Sequence, residues 1–116
     1  MFGRERILRT LASLGFSEID SKIYLHLAMK GLQKGKDVAE ALNLHKQQFY
    51  RSIKHLQGKG VVTSSFERPT QFSAVPLEKA LELLIEAKKE QALTLQRNRQ
   101  ELLSSWRSVT KEGICN

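Results

Sequence analysis

The chain has 116 residues, of which 41% are hydrophobic and 27% are charged, and this suits one compact domain with an extension. No apolar stretch is long enough to cross a bilayer, and the charged start leads into an amphipathic pattern instead of a secretory signal. The single cysteine, Cys115, has no partner for an internal disulfide, which fits a reducing compartment. We therefore expect a cytoplasmic protein with no membrane partner.

The positive charge is concentrated in the first half of the chain. Residues 1–60 carry eleven basic and five acidic side chains, a net of +6, whereas residues 61–116 carry eight and seven, a net of +1. A positive field on one half predicts a polyanion partner, although a basic and merely soluble surface would give the same count.

The first 30 residues predict two helices. Residues 4–14 place their apolar side chains on one stripe, and Gly15 is suited to end that helix in a left-handed conformation. Ser17 is a favourable N-cap and is followed by acidic side chains, so we expect the second helix over residues 17–29.

A short helix, a tight turn and a longer helix follow. After a polar loop at residues 33–35, residues 37–42 predict the short helix. Asn43 is one of the few non-glycine residue types that accept a left-handed turn. Residues 45–57 then predict a fourth helix with an apolar stripe every three or four positions.

Beyond the fourth helix the pattern changes to a period of two. Residues 61–66 and 71–75 predict two strands, and Pro69 lies in the turn between them, so the pair forms a β-hairpin. Residues 77–109 contain no glycine or proline and are rich in helix formers. They predict one long helix, on the order of 45 Å at 1.5 Å per residue.

This order of elements predicts a fold that is mainly α with a small β-hairpin, namely a winged helix-turn-helix followed by a long C-terminal helix. We place the DNA-binding domain at residues 1–76 and the dimerisation helix with a short tail at residues 77–116. The helix carries a half-apolar seam that has no internal partner, which predicts a homodimer with a coiled-coil interface. The candidate dimer-interface residues are Leu81, Leu84, Ile85, Leu95, Asn98, Leu102 and Trp106.

The outer face of the fourth helix is chemically suited to reading DNA. The major groove admits one α-helix, and the outer face of residues 45–57 is basic and amide-bearing without an acid. Gln pairs with adenine and Arg or Lys with guanine, so the candidate base contacts are Lys46, Gln47, Gln48 and Arg51. A charge or a hydroxyl is enough for a phosphate, and the candidate backbone contacts are Lys36, Tyr50, Lys54, His55, Arg68 and Thr70. Tyr50 is equally compatible with a place in the core, and His55 with either kind of DNA contact.

The sequence also resembles a known family. The stretch LGFSEIDSKIYLHL at residues 14–27 is similar to the opening of TrmB-type archaeal transcriptional regulators. The similarity continues through FYRSIKHL at residues 49–56, KGVV at residues 59–62 and RPTQFSAVP at residues 68–76. The resemblance implies a winged helix-turn-helix that binds DNA. MarR-like regulators are the nearest competing family and imply nearly the same function.

The chain departs from the family in three places that affect what the resemblance implies. The turn has Asn43 where glycine is frequent, and residues 45–47 read His-Lys-Gln where Pro-Arg-Ser is frequent, so the family's target sequence is not carried over. Full-length members have a large C-terminal ligand domain, for which this sequence leaves no room. We therefore expect neither sugar binding nor another small-molecule effector.

The function predicted from the sequence is that of a sequence-specific regulator of transcription that binds double-stranded DNA as a homodimer in the nucleoid. The fourth helix would enter the major groove, and the wing at residues 61–75 would lie on the backbone or in the minor groove. Two alternatives remain open: an architectural protein without sequence preference, and a winged-helix module that binds proteins. We expect no enzymatic activity, metal or cofactor, because the sequence has no phosphate-binding loop, no nucleophile with a base and no zinc-site spacing.

Overall fold

The structure is a computed structural model that describes the backbone of residues 2–115 and the side chains of residues 3–111. The chain divides into two units, one ending at Ile85 and the other beginning at Glu86. This boundary lies nine residues beyond the predicted one at residue 76. The reason is that Ala80 and Leu84, which follow that point, are buried in the core of the first unit. The side chain of Cys115 lies outside the described residues.

The described residues form six helices and a three-stranded sheet, in the order expected for a winged helix. The helices are α1 (Phe2–Ser13), α2 (Glu18–Lys30), α3 (Gly35–Ala41), α4 (Lys46–Gly58), α5 (Leu77–Arg97) and α6 (Arg99–Cys115). The strands are β1 (Gln33–Lys34), β2 (Val62–Ser64) and β3 (Gln71–Ala74). The predicted fold class is confirmed, and the third and fourth helices form the helix-turn-helix.

The turns that separate the helices follow the local chemistry of the sequence. Ser17 caps α2, its hydroxyl accepting the backbone N–H of Asp20 at 3.0 Å, while the Asp20 carboxylate accepts the backbone N–H of Ser17 at 3.0 Å. This reciprocal pair is a capping box, and it fixes the start of the helix. Asn43 has a φ of +55°, as predicted for the turn between α3 and α4.

The sheet has one strand more than the predicted hairpin. Strand β3 lies in the centre and pairs in antiparallel fashion with β2 on one side and β1 on the other, with Val62 opposite Ala74 and Gln33 opposite Phe72. The prediction of a polar loop at residues 33–35 was therefore wrong, because residues 33–34 form β1 and α3 begins at Gly35. Strand β1 consists of two polar residues that pair through their backbone, so it leaves no hydrophobic alternation in the sequence.

Gly35 follows β1 and is required by close packing. A Cβ atom at this position would lie 2.9 Å from the ring of Phe49 and 3.1 Å from the ring of Phe72. These two rings meet edge to face with their centroids 5.7 Å apart. The absence of a side chain at Gly35 thus lets α3 begin directly against the aromatic contact between α4 and the sheet.

The core of the first unit lies between α1, α2, α4, the sheet and the first turns of α5. Its buried apolar residues include Leu11, Phe16, Ile23, Tyr24, Leu27, Val38, Phe49, Ile53, Leu56, Val61, Phe72, Ala80 and Leu84. The Tyr24 hydroxyl donates a hydrogen bond to the carbonyl of Val75 at 2.5 Å, which connects α2 to the end of β3. Burial raises the pKa of Tyr24 above its ordinary value, so this hydroxyl stays a donor.

The predicted single helix over residues 77–109 is divided at Asn98 into α5 and α6. The α-helical hydrogen bonds nevertheless continue across this residue, from Asn98 N–H to the carbonyl of Thr94 at 3.0 Å and from Leu102 N–H to the carbonyl of Asn98 at 2.9 Å. The side-chain register is therefore maintained from α5 to α6. The helical segment ends at Cys115, later than predicted.

Candidate nucleic-acid interface

Helix α4 is attached to the core along one face. Phe49, Ser52, Ile53 and Leu56 are buried, and they follow the spacing of three and four residues that puts side chains on one side of a helix. The ring of Phe49 also contacts the ring of Tyr50 edge to face, with centroids 5.1 Å apart. These contacts determine the rotation of α4 about its axis and hence which side chains point outward.

The exposed face of α4 carries most of the predicted base contacts. Lys46, Gln47 and Arg51 are exposed, as is Lys54 from the predicted phosphate contacts. Within the part of the chain that the structure describes, none of these cations forms an ion pair. Their charge is thus available to an external anion.

Gln48 has a structural role that the sequence pattern did not reveal. Its side-chain oxygen accepts the backbone N–H of His45, the N-cap residue of α4, at 3.0 Å. This hydrogen bond satisfies one of the free donors at the start of the helix. Gln48 is half-buried, and its amide nitrogen is the part of the side chain that is left for a base.

Two of the predicted backbone contacts, Lys36 and Tyr50, lie near the first turns of α4. Tyr50 is 44% exposed, so it lies at the rim of the core and not within it. Lys36, in the first turn of α3, lines the same shallow groove as Lys46 and Tyr50. The groove also contains one acid, Glu40. A hydroxyl and two ammonium groups are therefore displayed together beside the helix-turn-helix.

The remaining backbone contacts lie in the wing. Arg68 and Thr70 are exposed in the turn between β2 and β3. The turn is closed by the Ser65 hydroxyl, which accepts the backbone N–H of Gln71 at 3.1 Å, and by the Ser65 N–H, which donates to the carbonyl of Gln71 at 2.8 Å. Phe66, predicted as the end of a strand, is instead fully exposed in this turn.

A buried carboxylate connects α2 to α4. Asp20 is only 2% exposed, and it accepts hydrogen bonds from the hydroxyl of Ser52 and from the backbone N–H of Ser17. Its second contact with α4 is His55, whose Nδ1 lies 2.6 Å from Asp20 Oδ2. Burial alone would raise the pKa of Asp20, but the hydrogen bonds from Ser52, Ser17 and His55 and the charge of His55 hold it below its ordinary value of 3.8. The carboxylate is therefore ionised at neutral pH.

Sequence reasoning placed the members of this cluster in separate roles. Asp20 was recognised only as an acid in the first turn of α2, and His55 only as a possible DNA contact. The signal for their association was the position of Ser52, a polar residue within the apolar stripe of α4. A buried hydroxyl needs a partner, and Asp20 supplies it.

The predicted dimer-interface residues differ in how the structure places them. Leu84 is 2% exposed, because it packs in the core of the first unit, so its assignment to the dimer seam was wrong. Leu81 is half-buried, and Ile85 is largely exposed. In the second unit, Leu95, Leu102 and Trp106 are 56%, 54% and 63% exposed, and Asn98 is exposed as well.

Metal binding and membrane insertion are two further classes of site. Among the described side chains, no three His, Cys, Asp or Glu residues come close enough to hold a metal ion. Within residues 2–115, no helix combines the length and the apolarity that crossing a membrane requires.

Comparison with protein families decides between the two candidate families. The model described as "Sugar-specific transcriptional regulator TrmB" matches residues 11–78, a span that runs from α1 to the start of α5. The chain belongs to the TrmB family. The match covers the helix-turn-helix and the wing, so this TrmB-family chain carries the winged helix of DNA-binding transcriptional regulators. No curated protein sequence matches the chain significantly.

Solved structures share this fold at low sequence identity. The ST1889 protein of the archaeon Sulfolobus tokodaii is 18% identical with a TM-score of 0.64, and the match covers 81% of this chain and 98% of that one. A possible transcriptional regulator from Methanosarcina mazei Go1 is 14% identical with a TM-score of 0.60, over 78% and 82% of the two chains. A cysteine-to-serine mutant of Lactococcus lactis ZitR, solved in complex with DNA, is 20% identical with a TM-score of 0.51, over 87% and 77%.

Proposed function

We propose that this TrmB-family regulator binds double-stranded DNA sequence-specifically as a homodimer, and that it acts through binding and not through catalysis. The observation that carries the proposal is the exposed face of α4, whose cations have no ion-pair partner among the described side chains. A solved structure of similar fold, ZitR, is a complex with DNA. We place the protein in the cytoplasm, associated with the nucleoid.

The bases would be read by α4 in the major groove. Arg51 and Lys46 offer donors to guanine, and Gln47 offers the paired donor and acceptor that adenine requires. Gln48 contributes its amide nitrogen, because its oxygen caps the helix. The apolar face of α4 is anchored in the core, so this surface is presented without a rearrangement of the fold.

The phosphates would be held on both sides of α4. Lys36 lies beside its start, Tyr50 and Lys54 lie on the helix, and Arg68 and Thr70 lie in the wing. Such contacts set the register on the duplex and contribute affinity that falls steeply with salt. The wing would follow the backbone or enter the adjacent minor groove.

The homodimer would form through the exposed apolar side chains of the second unit and the neighbouring part of α5. Leu95, Leu102 and Val109 follow one another at intervals of seven residues, which is the spacing of a coiled-coil seam, and Trp106 lies on the same face. Leu81 and Ile85, in the part of α5 that belongs to the first unit, are further candidates for the interface, and Asn98 would fix the register. Two α4 helices would then reach successive major grooves, about 34 Å apart, on an inverted repeat.

The proposal is tested by selecting duplexes from a random-sequence library and by measuring binding to bulk DNA across a salt series. We expect an enriched inverted repeat. Arg51→Ala should weaken binding to it by about 1–3 kcal/mol, about fivefold to more than a hundredfold, and relax the preference at one position in each half-site. Arg97→Ala is the matched control, because it removes the same exposed side chain from the end of α5 and should leave the preference unchanged.

Each other outcome identifies one of the alternatives. Salt-dependent binding without an enriched motif would indicate an architectural protein, because phosphate contacts alone carry no sequence information. No binding to any duplex at low salt would contradict the proposal and indicate a protein-interaction module. A sedimentation measurement that finds only monomer at micromolar concentration would contradict the dimer.

A further inference from the structure

His55 differs from the other polar side chains of α4 because one of its ring nitrogens is already bound. Nδ1 lies 2.6 Å from the Asp20 carboxylate, whereas Nε2 has no hydrogen bond to any described protein atom. The side chain is 49% exposed, at the edge of the surface that carries Arg51 and Lys54. One side of the ring thus faces a buried anion, and the other side is open to an external ligand.

The Asp20 carboxylate determines where the ring carries its proton. The hydroxyl of Ser52 and the backbone N–H of Ser17 donate to this carboxylate, and these hydrogen bonds fix its position. An ionised carboxylate can only accept hydrogen bonds. The atom that faces it, Nδ1, must therefore carry a hydrogen. In the neutral ring Nε2 is then an acceptor, and only the protonated ring has a second donor at Nε2.

A DNA phosphate distinguishes these two forms of the ring. Its oxygens are acceptors with a negative charge, so they repel the lone pair of a neutral Nε2 and bind the N–H of a protonated one. We propose that His55 contacts a DNA phosphate through Nε2 only when its ring is protonated, so that DNA binding takes up a proton, with Asp20 and Ser52 as positioning residues. This inference rests on the proposed function and adds a proton-linked contact to it.

The other charges around His55 are few. In the groove beside it, Asp20 from α2 and Arg51 from α4 are the charged side chains, and α1 with the following loop contributes Ala12, Gly15 and Phe16. Lys59, after the end of α4, reaches Gly15, where its Nζ lies 3.3 Å from the position of a Cβ atom. Glu18 is paired with Lys22 at 3.4 Å. Among these groups Asp20 is the anion that faces the ring, and a phosphate at Nε2 would place a second negative charge beside it.

The test is the pH dependence of DNA affinity at constant ionic strength, measured with a random-sequence 30-base-pair duplex from pH 5.5 to pH 8.5. In the wild type, we expect affinity to fall with rising pH by up to about tenfold per unit, the slope of one linked proton. His55→Gln keeps a neutral donor but does not titrate, so it should lose this component. His26→Gln, which removes a histidine of α2 that lies in a different groove, should keep the wild-type slope.

Asp20→Asn separates positioning from a purely structural role. An amide both donates and accepts, so it no longer forces the neutral ring to expose a bare Nε2. We expect this variant to bind at pH 8 with less dependence on pH than the wild type. A variant that is only less stable would bind more weakly at every pH with the wild-type slope, and that result would contradict the role of Asp20.

A second measurement needs no variant. The ring of His55, followed by NMR in the wild type, should titrate at higher pH when the duplex is bound than when it is free. A titration that the duplex does not change, or a His55→Gln variant with the wild-type slope, would overturn the inference and leave DNA binding intact. No binding at any pH would overturn the proposed function together with it.

Discussion

Helix α4 and the helical segment from Glu86 onward have the same kind of amphipathic sequence but opposite surroundings. In α4 the apolar side chains Phe49, Ile53 and Leu56 are almost fully buried, whereas Leu102 and Trp106 of α6 are more than half exposed. Apolar periodicity therefore indicates a helix with an apolar face, but it does not indicate what covers that face. In α4 the apolar face is buried in the core of the same chain.

This difference in burial suits the two helices to different functions. Helix α4 needs no partner to hold its conformation, so its polar face can be specialised for DNA. The segment from Glu86 onward has almost no buried side chain among those described, and an isolated helix of this kind is marginal in water. In the proposed homodimer it would gain stability, because a second copy would cover its apolar side.

The largest expected effect is the loss of a core side chain from α4. Leu56→Ala should lower the free energy of unfolding by about 2–5 kcal/mol, since it removes buried methyl groups and leaves a cavity. Leu102→Ala makes the same chemical change at an exposed position and should cost less than half as much. Urea denaturation of both variants, at a protein concentration low enough for the chain to be monomeric, compares them. Equal losses would show that the two helices are equally covered in solution.

The second effect concerns self-association. A variant with both Leu95→Glu and Leu102→Glu places two carboxylates on the proposed seam, and burying them unpaired is unfavourable. We expect the dimer dissociation constant to rise at least tenfold, about 1.4 kcal/mol, in sedimentation equilibrium. A variant with Gln100→Glu and Ser104→Glu, which adds the same two carboxylates at exposed positions outside that seam, is the control for altered net charge. A double variant that remains as dimeric as the wild type would place the interface elsewhere.

Local chemistry explains what the sequence predicted well. Ser17, Asn43 and the apolar stripe of α4 each act within a few residues of their own position, and the predicted start of α4 lies one residue from the observed one. Strand β1 was missed because its two polar residues pair only through backbone atoms, and with a distant strand: Gln33 lies opposite Phe72, 39 positions later in the chain. Leu84 was misassigned because it lies with Ala80 on the face of α5 that packs in the core of the first unit.

The candidate site was predictable to a similar degree. The exposed side chains of α4 follow from helical geometry once the buried stripe is known, so Lys46, Gln47 and Arg51 were accessible to sequence reasoning. The Asp20–His55 contact joins residues 35 positions apart and depends on how α2 packs against α4. No spacing rule within one helix contains that information.

The third effect concerns the hydrogen bonds of Asp20 to α4. Asp20→Asn should lower the free energy of unfolding at pH 7 by about 1–3 kcal/mol, because it disturbs charge-assisted hydrogen bonds to Ser52, Ser17 and His55. The pKa of Asp20 is lowered on folding, so its contribution is present above pH 3.8 and is lost as the pH falls toward the folded-state value. Denaturation at pH 7 and pH 2.5 should therefore find a smaller gap between variant and wild type in acid. A gap that widens in acid would contradict the lowered pKa.

The smallest effect compares two asparagines that each lie between helices. Asn43 turns the chain with a φ of +55°, whereas Asn98 keeps the α-helical hydrogen bonds on both of its sides. Asn43→Leu should lower the free energy of unfolding by about 1 kcal/mol, because a left-handed backbone is unfavourable for a bulky side chain. Asn98→Leu should raise it by a few tenths of a kcal/mol through helix propensity, and by more in the dimer, where it should also relax the oligomer specificity. Thermal denaturation measures the stability of both variants, and sedimentation measures their oligomeric state. Equal losses of stability in the two variants would mean that Asn98 also marks a turn.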